Sequence, residues 1–180
     1  MLTLMLLRHA KSSWSDPGQA DIDRPLNDRG KRAARAMGRL MAVNDLEPQL
    51  VLCSPAVRAK ETWNLVAGAL KTSPALLIEQ DIYEFGDGEA LMDCLRQKAG
   101  VAQSVLLVGH NPSIEGLALI LARSEKTELR GQLEKKYPAG ALAVIRLDFD
   151  SWNAVTKGTG TLLRFDRPKD MLDRGLKSTD

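Results

Sequence analysis

The chemistry of this chain starts from its histidines, because only two occur among 180 residues. His9 follows Arg8, and both come directly after the largely apolar run at residues 2–7. An imidazole can act as a nucleophile, a base or a metal ligand, whereas a guanidinium is a permanent cation whose fork suits phosphate or carboxylate. His110 also follows an apolar run, at residues 105–108, after one glycine. The pattern therefore predicts reactive imidazoles beside an anion site.

Metal chemistry is poorly supported, because the two histidines are far apart in sequence and no C-x-x-C or H-E-x-x-H pattern supplies further ligands. We expect neither a metal nor a cofactor.

The net charge of +2 is too small to argue for nucleic acid or a membrane surface as partner. No stretch approaches the ~18 apolar residues of a membrane span. Cys53 and Cys94 are well separated and no export signal precedes them, which predicts reduced thiols and a cytoplasmic protein.

A mainly parallel sheet would bring these reactive residues together. Apolar runs alternate with helical patterns in the order β-α-β-α-β-α-β-α-β-β, which predicts an α/β, three-layer sandwich. The predicted strands lie at residues 2–7, 50–53, 75–78, 105–108, 141–147 and 160–165. Right-handed crossovers put the carboxyl ends of parallel strands at one edge of a sheet, where ligands bind. The length favours a single domain, at residues 1–166, and we expect the charged segment 167–180 to be a mobile tail.

Cap residues predict where the helices begin. Asn27 or Asp28 suits the cap of the first helix, Ser54 that of the second, and Asn111 that of the helix after the fourth strand. The last two helices would open at the same sheet edge, and Arg58 lies in the first turns of one of them. Helix amino termini add partial positive charge. Such a density of donors fits a phosphoryl group better than a carboxylate.

Several motifs in this chain resemble those of the histidine phosphatase superfamily, the phosphoglycerate mutase-like proteins. They are Leu7-Arg8-His9-Ala10, similar to the Arg-His-Gly signature, then Ser54-Pro55-x-x-Arg58-Ala59-x-Glu61-Thr62 and Gly109-His110-Asn111. Their order and spacing agree from residue 3 to about residue 147. The short length and the segment Arg24-Pro25-Leu26-Asn27-x-x-Gly30 resemble most the SixA branch, the protein-phosphohistidine phosphatases. Ala10 departs from the glycine that is usual in the family.

The resemblance implies covalent catalysis without a metal. His9 would be the nucleophile and would become phosphohistidine. Arg8, Arg58 and His110 would hold the three equatorial oxygens of the transferred group. We expect the two arginines to disfavour the imidazolium, so that His9 is neutral near pH 7.

Other residues have more than one interpretation. Ser12 or Asn111 either adds a hydrogen bond to the phosphate or serves only in a turn or a helix cap. Family members take the proton for the leaving group from an acidic residue downstream of the second motif. Glu84 is the candidate here, with Asp81 and Asp87 as rivals, and a solvated loop carboxylate is the alternative.

The expected substrate is a phosphohistidine on a protein. The chain between Glu84 and His110 has room for one helix and one strand but not for a long lid, and the loop at residues 13–24 is short and polar. An open site admits a surface phosphohistidine, for example on a histidine phosphotransfer domain, but encloses a sugar phosphate poorly. The alternatives are a phosphatase for small esters such as sugar phosphates or nucleotides, and a non-catalytic phosphate-binding module.

Overall fold

The computed structural model describes residues 1–84 and 86–173. Its strands are β1 (Leu2–Arg8), β2 (Leu50–Cys53), β3 (Ala75–Ile78), β4 (Ser104–Gly109), β5 (Leu142–Leu147) and β6 (Thr161–Asp166). They form one sheet in the order β3-β2-β4-β1-β5-β6. The strands from β3 to β1 pair in parallel, and β5 is antiparallel to both of its neighbours. The predicted α/β fold with a mainly parallel sheet is confirmed.

Helices cover both faces of this sheet. They are α1 (Asp28–Val43), α2 (Val57–Ala67), α3 (Glu89–Lys98), α4 (Ser113–Leu121), α5 (Glu128–Lys135) and α6 (Pro168–Asp173). Successive side chains of a strand point to opposite faces. Leu4 and Leu6 of β1 accordingly pack in the core beneath α3 and α4, whereas Met5 and Leu7 pack against α1 and α2. Burial on both faces explains why the first strand is an almost continuous apolar run.

The predicted tail is wrong for its first part. Residues 168–173 form α6, and Met171 of that helix is 1% exposed because it packs in the core on the α1 and α2 side. The few apolar residues of this charged segment were too weak a signal to predict the helix. The remainder of the tail, residues 174–180, lies outside the described residues. Within the described part of the chain, no helix combines the length and apolar character needed to cross a membrane. The cytoplasmic location stays a prediction.

Two of the predicted helix caps are also wrong. Asn27 caps α1 as expected, since its side-chain oxygen accepts the Gly30 N–H at 2.8 Å. However, α2 begins at Val57 and α4 at Ser113, without a side-chain cap on either. Ser54 and Asn111 therefore lie before the helices and use their side chains at the candidate site.

Candidate active site

Strand pairing places the two histidines side by side. Arg8 of β1 pairs with Gly109 of β4, and the His9 N–H donates to the Gly109 carbonyl at 2.9 Å. The residues that follow are consequently neighbours, and the imidazole centroids of His9 and His110 are 5.0 Å apart. Both histidines follow strands that end at the same edge of the sheet, as the sequence predicts.

The tautomer of His9 is set by its own backbone. Its Nδ1 lies 2.6 Å from the Ala10 carbonyl, which can only accept, so Nδ1 carries the proton and Nε2 carries the lone pair. The pKa of His9 is lowered to about 4, chiefly by burial, with the charges of Arg58, Arg8 and Arg24 acting in the same direction and the Ala10 hydrogen bond against them. The imidazole is therefore neutral at pH 7, with Nε2 available as a nucleophile.

Helix α2 fixes the chain segment that carries His9. The Thr62 hydroxyl accepts the Ala10 N–H at 3.0 Å and donates to the Arg58 carbonyl at 2.6 Å. On the other side of this segment, α1 approaches so closely that a Cβ on Gly30 would lie 2.1 Å from the Lys11 carbonyl oxygen. Thr62 and Gly30, both part of the motifs noted in the sequence, thus hold the nucleophile segment between two helices.

Arg8 is anchored through a carbonyl outside the motifs. Its Nη1 donates to the Tyr137 carbonyl at 2.7 Å, and its Nε is buried without a hydrogen-bond partner among the described residues. Tyr137 is fully buried and its hydroxyl donates to the Leu6 carbonyl at 2.6 Å while accepting the Ala143 N–H at 3.0 Å. The arginine is therefore held by the core and keeps donors for an anion.

Arg58 is bound to a carboxylate that sequence reasoning missed. Its Nη1 donates to the Asp21 carbonyl at 2.5 Å and its Nη2 to Asp21 Oδ2 at 2.9 Å. Arg24 donates to Asp21 Oδ1 at 2.6 Å, and the Tyr83 hydroxyl donates to Oδ2 at 2.9 Å. Burial opposes ionisation of Asp21, but hydrogen bonds from Tyr83, Arg24 and Arg58 outweigh it and lower its pKa to about 2. Asp21 is thus a carboxylate that orients both arginines.

His110 is held by Ser54 rather than left to solvent. Its Nε2 shares a hydrogen bond of 2.7 Å with the Ser54 hydroxyl, and its ring packs edge-on against Tyr83 with centroids 5.6 Å apart. Burial lowers the pKa of His110 to about 3, with the charges of His9, Arg58 and Arg8 acting in the same direction and Asp21 against them. His110 is a neutral hydrogen-bonding group at pH 7.

We predict that the buried His110 makes stability depend on pH. An unfolded histidine binds a proton near pH 6.5, whereas His110 in the folded chain does so only near 3. The unfolded state then binds more protons, so the free energy of unfolding falls as the pH drops below about 6.5, by up to about 1.4 kcal/mol per pH unit for one histidine. Urea unfolding at several pH values between about 7 and 5 measures this slope. His110→Gln should reduce the slope, although His9 still contributes, and an unchanged slope would contradict the prediction.

The two optional phosphate ligands have other partners in this structure. Ser12 Oγ accepts a hydrogen bond of 2.6 Å from Arg24 Nη2, which helps to hold that arginine on Asp21. Asn111 Nδ2 donates to Glu115 Oε2 at 2.7 Å and to the Tyr137 carbonyl at 3.2 Å. Both residues therefore lie around the site, and a direct bond from either to phosphate stays a prediction.

The carboxylate of the predicted acid is not hydrogen-bonded to either histidine. Glu84 is exposed, and no hydrogen bond or ion pair of its carboxylate occurs among the described residues. Its carbonyl accepts the Ser113 hydroxyl at 3.2 Å. Asp87 accepts the Glu89 N–H at the start of α3, and the charge of Asp81 raises the pKa of Cys94. The role of Glu84 stays a prediction, and Asp81 and Asp87 stay its alternatives.

The described residues contain no cluster of three or more His, Cys, Asp or Glu side chains that could hold a metal ion. The side chains that converge here are two neutral imidazoles, two arginines held by fixed acceptors, and one carboxylate. Such an arrangement has the donors to bind a phosphoryl group and an imidazole nitrogen that can attack it.

Comparison with known proteins gives the family. The model of the histidine phosphatase superfamily (branch 1) matches residues 4–99. Rv1276c of Mycobacterium tuberculosis (strain H37Rv) is 34% identical over 165 residues, which cover 91% of this chain and 100% of that protein. The chain belongs to the histidine phosphatase superfamily, which supports phosphatase activity.

Solved structures place the chain beside SixA proteins within that superfamily. SixA from Agrobacterium tumefaciens has a TM-score of 0.74 and 28% identity, covering 93% of this chain and 99% of that one. SixA from Nakamurella multipartitia has a TM-score of 0.79 and 26% identity, covering 93% and 96%. The SixA-type resemblance noted in the motifs is confirmed.

Proposed function

We propose that this protein removes phosphate from phosphohistidine on proteins, through a phosphohistidine formed on its own His9. The observation that carries the proposal is the state of His9: a neutral imidazole with its lone pair on Nε2, beside Arg8 and Arg58. A module that only binds phosphate needs cations and helix amino termini but has no use for a nucleophile prepared in this way.

The reaction we propose has two displacements. In the first, His9 Nε2 attacks phosphorus in line, the P–N bond to the substrate imidazole breaks, and the leaving nitrogen takes up a proton. In the second, water attacks the phosphorus on His9, the P–N bond to Nε2 breaks, and inorganic phosphate leaves. Arg8, Arg58 and His110 hold the equatorial oxygens in both steps.

The leaving nitrogen takes its proton from an acidic side chain. Asp21 is ionised at neutral pH, because its pKa of about 2 leaves it without a proton to donate. We retain Glu84 as the proposed acid, in a loop that would deliver its carboxyl when a substrate is bound. An imidazole leaving group needs less protonation than an alkoxide does, which favours a phosphoramidate substrate at this site.

The openness of the site supports a protein substrate. Between residues 86 and 109 the chain forms only α3, β4 and their short connections, and Trp14 in the loop after β1 is 77% exposed. A related structure with 22% identity, solved with tungstate, carries the name protein histidine phosphatase SixA. A second candidate is a phosphatase for small esters, since a relative that is 32% identical over 90 residues, 49% of this chain, is named an acid phosphatase.

The substrate class is tested by comparing kcat/KM on a phosphorylated histidine phosphotransfer domain with kcat/KM on a panel of sugar phosphates and nucleotides. We expect the phosphoprotein to be preferred. A clear preference for any free metabolite would overturn this substrate assignment, but it would leave the phosphohistidine intermediate on His9 intact. EDTA should leave turnover unchanged, because the proposed steps use no metal. Vanadate should inhibit turnover, because it mimics the five-coordinate phosphorus of both displacements.

A further inference from the structure

A basic cavity of about 670 Å³ adjoins the phosphate site. Its charged lining comes from the segment after β1, from α1, from the end of α5 and from the start of α6, and it contains no Asp or Glu among the described residues. The exposed cations of this lining, here called the basic cavity residues, are Lys11, Arg29, Lys135, Lys136 and Lys169. Four separate elements thus contribute to one surface on which all the charges are positive.

The carboxylates that the structure describes do not pair with these cations. Arg167 at the cavity wall pairs with Asp170 at 2.7 Å. None of the basic cavity residues has a carboxylate within 4.0 Å among the residues that the structure describes. The whole chain carries a net charge of only +2, so the positive potential is concentrated on this face.

Arg8 connects the cavity with the site of reaction. It lines the cavity and also stands next to His9, and its Nη1 is fixed by the carbonyl of Tyr137, the neighbour of Lys136. A ligand in the cavity and a phosphoryl group on His9 would therefore lie on either side of one guanidinium. This makes the cavity an extension of the substrate site.

The type of cation indicates what binds there. A subsite for a small phosphate compound is built from a few fixed, buried donors, whereas here the donors are long, exposed side chains, four of them lysines. Their spread over four elements matches several carboxylates on a protein surface better than one compact anion. The exposed Trp14 ring, which stacks on Arg24 at 3.1 Å from the ring centroid, adds an aromatic group of the kind found in protein interfaces.

We propose that the basic cavity docks an acidic segment of the phosphoprotein substrate, with several Asp or Glu side chains close to its phosphohistidine. This inference rests on the proposed function and specifies its substrate class. The carboxylates would be drawn to the basic cavity residues first, and the phosphoryl group would then meet Arg8 and His9. Because the cations are exposed, the attraction is screened by salt and acts mainly on the rate of association.

The kinetic test compares Lys135→Glu/Lys136→Glu with Lys126→Glu, whose lysine is equally exposed but lies outside the cavity lining. We expect the double variant to lower kcat/KM on the phosphoprotein about tenfold more than on phosphoramidate, and to weaken the salt dependence on the phosphoprotein. Lys126→Glu should keep wild-type values on both substrates. The double variant changes the charge by −4 and Lys126→Glu changes it by −2. A logarithmic loss in Lys126→Glu half as large as that in the double variant would overturn the proposal, since charge at any position would then have the same effect.

A binding test does not depend on turnover. A fluorescent hexaglutamate peptide should bind wild type and Lys126→Glu at low salt, and should bind Lys135→Glu/Lys136→Glu about tenfold more weakly. Tripolyphosphate represents the alternative ligand class, the small polyanions, and is tested in the same assay. If it binds the cavity and the peptide does not, the cavity is a subsite for a small polyanion and the proposal fails. If the peptide binds as expected but wild type does not hydrolyse phosphohistidine protein, the docking surface stands and the proposed function fails.

Discussion

His9→Ala is expected to abolish turnover. No other imidazole can replace His9, because His110 is held on Ser54 and is 2% exposed. Removing the nucleophile of a covalent mechanism costs on the order of 10⁴–10⁶ in kcat. The measurement is the steady-state rate on a chromogenic phosphomonoester, together with acid quenching of wild-type enzyme during turnover. The quenched wild type should carry acid-labile phosphate on His9, and the variant should carry none.

The control for His9→Ala is its folding. His9 makes its side-chain hydrogen bond to the adjacent Ala10 carbonyl, so its removal should leave the fold in place and the far-ultraviolet spectrum unchanged. Full turnover in a folded His9→Ala protein would refute the covalent mechanism. If wild type binds phosphate but shows no turnover, the protein is instead a non-catalytic phosphate-binding module.

Much of the fold and the centre of the site could be predicted from the sequence, because each rests on a local pattern. The apolar run that ends at Arg8 predicts a strand buried on both faces, and the structure confirms it. Parallel pairing of β1 with β4 then requires His9 and His110 to meet, since both follow the same edge. Topology thus converts two distant residues into neighbours without any side-chain information.

The remaining parts of the site depend on contacts that no local pattern encodes. Asp21 lies in a polar loop, and only the folded chain brings it to Arg58 and Tyr83. Ser54 precedes a proline as a helix cap would, yet its hydroxyl bonds His110 across the sheet edge. Tyr137 directly follows Glu134, Lys135 and Lys136 in the sequence, yet its ring is buried. In each case a residue distant in sequence determines where the side chain lies. Near Asp21, the only signal in the sequence was the segment Arg24-Pro25-Leu26-Asn27, which resembles the SixA branch.

Arg58→Ala is expected to lower kcat by roughly 10²–10³, the scale for removing one preorganised donor to the transition state. The guanidinium lies beside the nucleophile, and its charge also helps to keep the pKa of His9 low. The side chain is 4% exposed and bonded twice to Asp21, so some loss of stability is expected as well. The measurements are kcat on phosphohistidine protein and the free energy of unfolding in urea. An unchanged kcat would remove Arg58 from the catalytic machinery.

Arg24→Ala separates the catalytic from the structural effect, because Arg24 is also buried and also bonds Asp21. All of its nitrogens are already engaged, by Asp21, Ser12 and the Ser13 carbonyl, so it has little capacity left for a phosphoryl group. We expect Arg24→Ala to lose stability comparable to that lost by Arg58→Ala, on the order of 1–3 kcal/mol, but to lose much less kcat. Equal losses of kcat in the two variants would mean that Arg58 acts only by holding the Asp21 loop, since that is the one function the two arginines share.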